Sequence, residues 1–460
     1  MTRQYVVPRV STIVHTEGIE KPVIGATGIV GVIGSAQWGP IDEVVSLSSF
    51  ADALKTFQDD DTGLTLIKAL ELIFANGASQ VKILRIEHGD TDTGAVAATK
   101  NFVNGVTDVI QVDGKYKGAY GNNISVTITA NAVDGDTRDV LISDGTKSET
   151  IIGAVTNAEI VAYYNANSEL VTLTALDTPV VAAITETNLI SGSNGSTPTT
   201  TNYSTGLSSF ETEEMNIVVC AGQSDATVHT AIKTHCNLMA ENGKPRIGIV
   251  GSAASTSISD NKTKAAALGS DRIVYVAPGI KMTDRLTSIE VTRAPAYTAA
   301  AIAGLIANND VNVSITRKPI QGITGLETEY NDSEIYDLTT YRVLTIGKYN
   351  GYSPVKDITT STTSAWDFIT TRRIVDYVVV VAESIGQGFI GRLNMSHIRL
   401  AMAAVIDSFM KTSKDNNIIN DYSVEVTATR AQEIAGICKV NLGIKPVFSI
   451  YFIDADIFLS

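Results

Sequence analysis

The sequence predicts a multidomain α/β protein with a doubly wound core, an inserted β-rich region and an α+β region at the C-terminus. From Met215 onward, short apolar runs alternate with amphipathic stretches, which is typical of a parallel sheet with helices on both faces. Residues 95–204 are instead rich in Val, Ile, Thr, Gly and Asn, and Asp134-Gly135 and Asp144-Gly145 predict β-hairpins. The 460 residues exceed one small core and fit two to four domains.

The core is predicted to combine two separate stretches, 21–94 and 205–344. In the first stretch Ser49 is positioned to cap a helix at Phe50–Phe57. Its other elements are strands at Gly28–Gly34 and Gln80–Ile86 and a helix at about Leu64–Ala75. The second stretch has strands at Asn216–Cys220, Arg246–Val250 and Arg272–Val276, and helices at Asp225–Glu241, Ser259–Leu268 and Pro295–Ala307.

The inserted β-rich region, 95–204, is predicted to contain one helix at Asn157–Tyr164. Gly192–Ser209 is rich in Ser, Thr, Asn and Gly and is predicted to be a loop or linker. The C-terminal region, 345–460, has an amphipathic stretch that predicts a helix. Its predicted elements are a strand or helix end at Ile374–Ala382, a helix at Asn394–Met410, and strands at Tyr422–Thr427 and Pro446–Ile453.

Residues 1–20 are predicted to form an extended N-terminal arm. Tyr5, Val7, Val10 and Ile13 favour a strand, whereas Pro8 lacks the N–H group that a central strand would donate. A lone strand cannot satisfy its own backbone groups, so this arm is expected to pair with another element.

Charge is distributed unevenly along the chain. The formal net charge is −14, which disfavours direct binding of nucleic acid by the molecule as a whole. Residues 345–460 are neutral, with eleven Lys plus Arg and eleven Asp plus Glu. The predicted helix of this region and its flanks carry four basic residues, Arg392, Arg399, Lys411 and Lys414, and one acidic residue, Asp407. This basic helix either faces an acidic partner or is an ordinary exposed surface.

The cysteines and the hydropathy pattern indicate a protein made and folded in the cytoplasm. Cys220, Cys236 and Cys438 are odd in number and far apart, which makes a disulfide framework improbable. The N-terminus lacks the apolar run of a signal peptide, and no apolar stretch approaches the roughly 18 residues that a membrane span needs. Membrane insertion is therefore not expected.

Neither a cofactor site nor a catalytic site is predicted. Gly28, Gly31 and Gly34 lie within a strand, not between strand and helix as a dinucleotide fingerprint requires, so they are interpreted as points of close packing. A Ser/His/Asp hydrolase presents its nucleophile on a strained turn, and no G-x-S-x-G motif occurs. His229 and His235 are interpreted as packing or surface residues.

A metal site is not predicted either. The pair His235-Cys236 occupies adjacent helical positions, which diverge by about 100° and do not easily share one ion. Asp59-Asp60-Asp61 precedes a helix and is interpreted as a solvated loop, with loose divalent binding as the alternative.

Several motifs, taken in order, resemble those of the contractile tail sheath family. Each motif alone is a weak indication of the family. Their order, which extends over nearly the whole chain, is a specific one. Ser191 and Asn194 depart from the glycine and aspartate that are commoner in the family. The motifs are Gly34–Pro40 with Val44–Phe57, Phe74–Ala78 leading to Val81–Ile86, Gly118–Val126, Leu189–Gly195 with Tyr203, Leu207 and Phe210-Glu211, Arg373–Tyr377, and the terminal FSIYFID.

The resemblance implies a structural subunit and not an enzyme. The core would be subtilisin-like without the catalytic triad, the β-rich region would face outward, and the C-terminal region would face inward. Subunits would stack as hexameric rings around an inner tube protein, meet baseplate and tail terminator proteins, and contract to drive the tube through an envelope. The assembly would be a virion tail or injection particle built in the host cytoplasm.

Particular residues follow from this resemblance. Arms at both chain ends would add strands to sheets of neighbouring subunits. Because the tube contact must be released, a modest polar contact is favoured, and we hypothesise that the basic helix provides it. The arm residues are Tyr5, Val7, Val10, Ile13, Phe448, Ile450 and Phe452, and the tube-facing residues are Arg392, Arg399, Lys411 and Lys414. Two alternatives remain open: a nucleotide-binding or hydrolytic α/β enzyme, and another self-assembling shell or surface-layer protein.

Overall fold

The computed structural model describes residues 27–59, 63–87, 94–349 and 351–457. The predicted arm residues Tyr5, Val7, Val10 and Ile13 lie outside these ranges. The described residues form two compact units, here called the core unit (27–376 with 448–457) and the C-terminal unit (377–447).

The helices and strands are numbered here in chain order. The first group is β1 (Ile29–Gly34), β2 (Val44–Leu47), α1 (Phe50–Phe57), α2 (Leu66–Ala75) and β3 (Gln80–Arg85). Next come β4 (Thr99–Asn104), β5 (Thr107–Gly114), β6 (Ser125–Ala130), β7 (Arg138–Ser143), β8 (Ser148–Ala154), α3 (Asn157–Asn167), β9 (Val171–Ala175), β10 (Ile184–Asn188) and α4 (Thr200–Ser209).

The second half of the chain continues the alternation. It contains β11 (Ile217–Cys220), α5 (Ala226–Glu241), β12 (Ile247–Gly251), α6 (Ile258–Leu268), β13 (Ile273–Ala277), β14 (Ile280–Thr283), β15 (Glu290–Arg293), α7 (Pro295–Ala307), β16 (Gly325–Leu326), α8 (Asp332–Thr340), β17 (Val343–Lys348) and β18 (Tyr352–Pro354). The last group is α9 (Ile369–Gln387), α10 (Ser396–Asp415), β19 (Ile419–Thr427), α11 (Arg430–Ile434) and β20 (Lys439–Pro446).

An eight-stranded sheet organises the core unit, in the order β18-β17-β13-β12-β11-β1-β3-β2. The six central strands are parallel, and β2 and β18 pair antiparallel at the two edges. The pairing of β1 with β11, in which Val30 lies opposite Ile217, joins the two stretches that the sequence analysis assigned to the core.

Helices cover both faces of this sheet, as the alternation of elements predicted. Residues of α1, α2 and α7 share one hydrophobic cluster with the sheet, and residues of α4, α5, α6 and α8 share the other. Helix α7 begins with Pro295 and is buried on nearly all sides, which agrees with its uniformly apolar sequence.

Gly28, just before β1, and Gly31, within it, are points of close approach. A Cβ atom on Gly28 would lie 2.4 Å from the carbonyl oxygen of Ala307, and one on Gly31 would lie 2.3 Å from the sulfur of Met215. These distances confirm the packing interpretation of the glycines.

The inserted β-rich region forms two antiparallel sheets, β10-β6-β7-β8 and β4-β5-β9, which share one hydrophobic cluster with α3. Trp38, which follows β1, joins this cluster and makes aromatic contacts with Tyr116 and Tyr120 at centroid distances of 5.3 and 5.4 Å. The predicted β-hairpins and the helix at Asn157 are confirmed.

Two sequence-based assignments are wrong. Gly192–Ser209 is not all loop, because its second half is α4, where Asn202 Oδ1 accepts a hydrogen bond from Thr199 N at 2.8 Å. Pro446–Ile453 is not a strand: β20 instead ends at Pro446. Of the two options for Ile374–Ala382, the structure has the helical one, within α9.

The boundary predicted at residue 345 passes through β17. Since β17 and β18 are the last strands of the eight-stranded sheet, the core unit continues through Asp376. Helix α9 starts in the core unit and continues into the C-terminal unit.

His235 gives a testable pH dependence of stability. It lies buried on α5, where burial and the neighbouring Arg246 lower its pKa to about 4. Below the ordinary pKa of 6.5 the unfolded chain takes up a proton that the folded chain excludes, so stability falls as the pH drops. His235→Gln removes the titrating group and keeps an acceptor for Arg246. Between about pH 7 and pH 5, we expect the free energy of unfolding of this variant to fall by about 2 kcal/mol less than that of the wild type.

Urea unfolding at the two pH values measures this difference. His397→Gln is the matched control, because His397 is exposed on α10. An unchanged pH dependence in His235→Gln would contradict the assignment.

Candidate assembly surfaces

The residues that the sequence analysis examined for chemistry are packed into the fold. A ring nitrogen of His229 lies 3.3 Å from the carbonyl oxygen of Gln223, and the His229 ring meets Tyr275 edge-on. His235 Nε2 lies 3.0 Å from an Arg246 nitrogen, so both histidines are packing residues as interpreted. Asp59 forms an ion pair with Arg285, and Asp60 and Asp61 lie outside the described residues.

Neither a cluster of metal ligands nor a membrane-spanning helix is present among the described residues. Among them, no three His, Cys, Asp or Glu side chains are grouped so that they could hold a metal ion. Likewise, none of the described helices is both long and apolar enough to span a membrane.

The C-terminal unit contains an open β-ribbon. Strands β19 and β20 pair antiparallel from Ile419↔Pro446 to Thr427↔Lys439 and form a two-stranded sheet. Within the described part of the chain, the outer edge of each strand has no backbone partner. A two-stranded ribbon is only marginally stable by itself, and its free N–H and C=O groups are a template for added strands.

The segment that follows the ribbon, residues 448–457, exposes apolar side chains. Phe448, Ile450 and Phe452 are 59%, 81% and 80% exposed, and Ile453 and Ile457 are exposed as well. Among the described residues this segment has neither a strand partner nor a backbone–backbone hydrogen bond. Its residues thus offer both main-chain groups and apolar side chains to another surface.

Two basic residues of the predicted basic helix lie close to acidic side chains, and two are exposed. Arg399 is paired with Glu433 at 3.1 Å and also donates to Asn394 Oδ1 at 2.8 Å, so it fastens α10 to α11. Lys414 lies 3.5 Å from Asp421. Lys411 is exposed, and the exposed Arg392 guanidinium lies 5.0 Å from the Phe389 ring centre.

A buried ion cluster that the sequence analysis missed holds the start of α9. Asp376 accepts from Arg272 at 2.9 and 3.1 Å and from Arg372 at 2.7 Å, and Arg372 also pairs with Asp271 at 2.9 Å. Arg373, next to this cluster in sequence, donates to the carbonyl oxygens of Asn309 and Asp310. The one sequence signal was the i, i+4 spacing of Arg372 and Asp376, two opposite charges one helical turn apart.

Two of the quoted family motifs contact each other in the core unit. Asn122 donates to the carbonyl oxygen of Gly192 at 2.9 Å and accepts from its N–H at 2.8 Å. Asn194, where aspartate is commoner, accepts from Ala119 N at 2.8 Å. Gly118 has φ +136, and a Cβ there would lie 2.0 Å from the carbonyl oxygen of Gln37. The two motifs therefore pack against each other, and Gly118 places them beside Gln37, where the inserted region adjoins the core.

Solved sheath proteins share this fold, with its two-faced α/β core, its inserted β region and its C-terminal unit. The model of the phage tail sheath central domain matches residues 196–360, and that of the phage tail sheath C-terminal domain matches residues 361–460. Together these matches span more than half of the chain, and the chain belongs to the phage tail sheath family.

Individual relatives agree with this assignment. The tail sheath protein of Staphylococcus phage Twort is 29% identical over 184 residues, which are 40% of this chain and 30% of that protein. A sheath tail protein from Listeria innocua has the same fold, with a TM-score of 0.72 and 18% identity over 94% of each chain.

Two further solved structures share the fold. A sheath tail protein from Desulfitobacterium hafniense has a TM-score of 0.70 and 16% identity over 95% of this chain and 100% of that one. A chain of the contracted helical sheath of the anti-feeding prophage has a TM-score of 0.59 and 14% identity over 99% of each chain.

The ion cluster at α9 gives a stability prediction. Asp376→Asn leaves the buried Arg272 without its carboxylate and leaves Arg372 with Asp271 alone, which should lower the free energy of unfolding by about 3 kcal/mol. Asp337→Asn is the control, because its pair with Lys262 at 2.9 Å is largely open to solvent and should contribute about 1 kcal/mol or less. Urea unfolding measures both, and a loss at Asp376 no larger than at Asp337 would contradict the structural role of the cluster.

Proposed function

We propose that this chain is the structural subunit of a contractile tail sheath. Subunits would polymerise as stacked hexameric rings around an inner tube and contract to drive that tube through a target envelope. Family membership is the observation that carries this proposal, and the fold shared with a contracted sheath over nearly the whole chain supports it. An α/β enzyme and another kind of shell protein are not favoured by the family.

The polymer would be held together by strands donated between neighbours. The ribbon β19–β20 is the acceptor in this proposal, and residues 448–457 and 1–20 are the donors. Four to six main-chain hydrogen bonds per arm would contribute roughly 1 kcal/mol each, and apolar side chains would add roughly 25 cal/mol per Å² buried. Because donor and acceptor are different surfaces, the contact propagates from subunit to subunit and does not close on itself.

Contraction requires that neighbours move without separating. Main-chain pairing suits this requirement because its geometry is local to the arm and the ribbon, so the core units would be free to rotate while the strands stay paired. The extended sheath would be metastable, and contacts between core units would increase as it shortens.

The other partners follow from the same proposal. The inner tube protein would meet the exposed basic residues Arg392 and Lys411, and baseplate and tail terminator proteins would meet the two ends of the polymer. The particle would be a virion tail or an injection machine assembled in the host cytoplasm. Neither a cofactor nor direct contact with nucleic acid is part of the mechanism.

The donor role of the C-terminal segment has a direct test. Replacing Phe448, Ile450 and Phe452 together by Ser should abolish polymerisation, because each apolar side chain contributes about 1.5–3 kcal/mol when buried. The subunit should still fold, since these side chains are exposed in it. Sedimentation and negative-stain microscopy measure the polymer.

The matched control replaces three exposed apolar residues of the inserted region, Val106, Val133 and Ile152, by Ser. This control should polymerise normally. Normal polymers from the Phe448, Ile450 and Phe452 variant would refute strand donation by this segment.

The tube-facing role is tested by charge reversal. Arg392→Glu and Lys411→Glu should each reduce assembly on purified tube by roughly tenfold without lowering thermal stability, because both side chains are exposed. Lys55→Glu, at an exposed helical lysine of the core unit, is the control. Arg399→Glu is unsuitable because it breaks the pair with Glu433. Unimpaired assembly of both variants would remove the basic helix from the tube contact.

A further inference from the structure

One aromatic side chain fastens residues 448–457 to the rest of the core unit. Among the described residues, the backbone of this segment has no backbone partner. The Tyr451 hydroxyl donates to Asp357 Oδ1 at 2.5 Å, and the Tyr451 ring stacks on Phe368 with centroids 4.6 Å apart and planes 6° from parallel. Lys356 Nζ lies 5.7 Å from the Tyr451 ring centre and 5.2 Å from that of Phe368. We call Lys356, Asp357 and Phe368 the tyrosine socket.

The socket is part of the rigid core and not of the segment. Asp357 follows the edge strand β18 and is fully buried. Thr316 Oγ1 donates to its carboxylate at 3.3 Å and accepts from its backbone N–H at 3.1 Å, and an isolated bridge pairs Ile358 with Phe368. Asp357 Oδ2 is buried without a hydrogen-bond partner, and burial raises the pKa of this carboxyl group. Tyr451 donates to the other oxygen, Oδ1, and a hydrogen bond to a buried carboxyl group is costly to lose.

The residues on either side of Tyr451 contribute little to the docking. Ile450 and Phe452 are 81% and 80% exposed, and within the described residues the backbone of 448–457 forms no hydrogen bond to other backbone groups. Lys356 Nζ also lies 5.6 Å from the Phe452 ring centre. One hydrogen bond, one stacked ring pair and the Lys356 contacts therefore hold the segment, whose backbone has no backbone partner among the described residues. Such a contact is specific enough to position the segment and weak enough to be exchanged for a longer strand pairing.

We propose that the tyrosine socket is an intramolecular latch. It holds residues 448–457 on the subunit's own core unit, and Tyr451 must leave the socket before the segment pairs with the ribbon of a neighbouring copy. The latch competes with strand donation and delays spontaneous polymerisation of free subunits. This inference rests on the proposed strand donation and adds the step that precedes it.

Tyr451→Phe tests the latch, because it removes the hydroxyl and keeps the ring. Losing a hydrogen bond to the buried carboxyl group should increase the open population roughly tenfold. Phe368→Leu removes the stacked ring instead and should act in the same direction. Tyr336→Phe is the matched control, since Tyr336 is 77% exposed on α8 of the same unit.

Two measurements apply to each variant. Cleavage of the free subunit by chymotrypsin after Phe448 and Phe452 reports opening of the segment, and light scattering reports the lag before polymerisation. Both latch variants should be cleaved roughly tenfold faster and should polymerise with a shorter lag than wild type or Tyr336→Phe. Thermal melting should be unchanged.

The outcomes separate the latch from the function it depends on. Unchanged cleavage and lag in both variants, or a longer lag, would overturn the latch while leaving strand donation intact. Deletion of residues 448–460 is the second experiment. If this segment donates a strand, the truncated protein must fail to polymerise. Normal polymers from the truncated protein would overturn both.

Discussion

The parallel pairing of β1 with β11 is the constraint on which the architecture depends. It brings residues 187 positions apart into contact, and the Asn216 side chain adds a hydrogen bond to Ile29 N at 3.0 Å. Because both strands are fully buried, each must satisfy its backbone groups within the sheet. The inserted region adjoins this core through the Gly118 motif, which packs beside Gln37, and helices cover both faces of the one continuous sheet.

Elements with a strong local signal were predicted from the sequence to within a few residues. Ser49 accepts from Asp52 N at 3.1 Å at the start of α1, and Pro295 opens α7, as their positions indicated. Helix α4 was missed because its Ser, Thr and Asn residues have the composition of a loop, although Asn202 caps the helix. The last strand was placed too late because apolar composition at 446–453 does not reveal which residues have a pairing partner, and β20 pairs with β19 over Lys439–Pro446.

Contacts between distant residues could not be predicted in this way. Nothing local connects Arg272 with Asp376 or Asp357 with Tyr451, because each pair meets only after the core sheet has formed. Charge counting likewise treated Arg392, Arg399, Lys411 and Lys414 as one surface, whereas the ion pair with Glu433 gives Arg399 a structural role. Sequence therefore identified the exposed aromatic and aliphatic residues of the C-terminal segment but not the residue that holds it.

In the proposed assembly, main-chain groups that have no backbone partner among the described residues of the single subunit become paired in the polymer. A cryo-electron microscopy map of the assembled polymer tests this claim most directly, because backbone pairing at β19 and β20 is visible in it. We predict a sheet of more than two strands, in which residues from the ends of neighbouring subunits flank the ribbon. A polymer in which the ribbon remains two-stranded, with residues 448–457 still lying on their own core unit, would contradict the account.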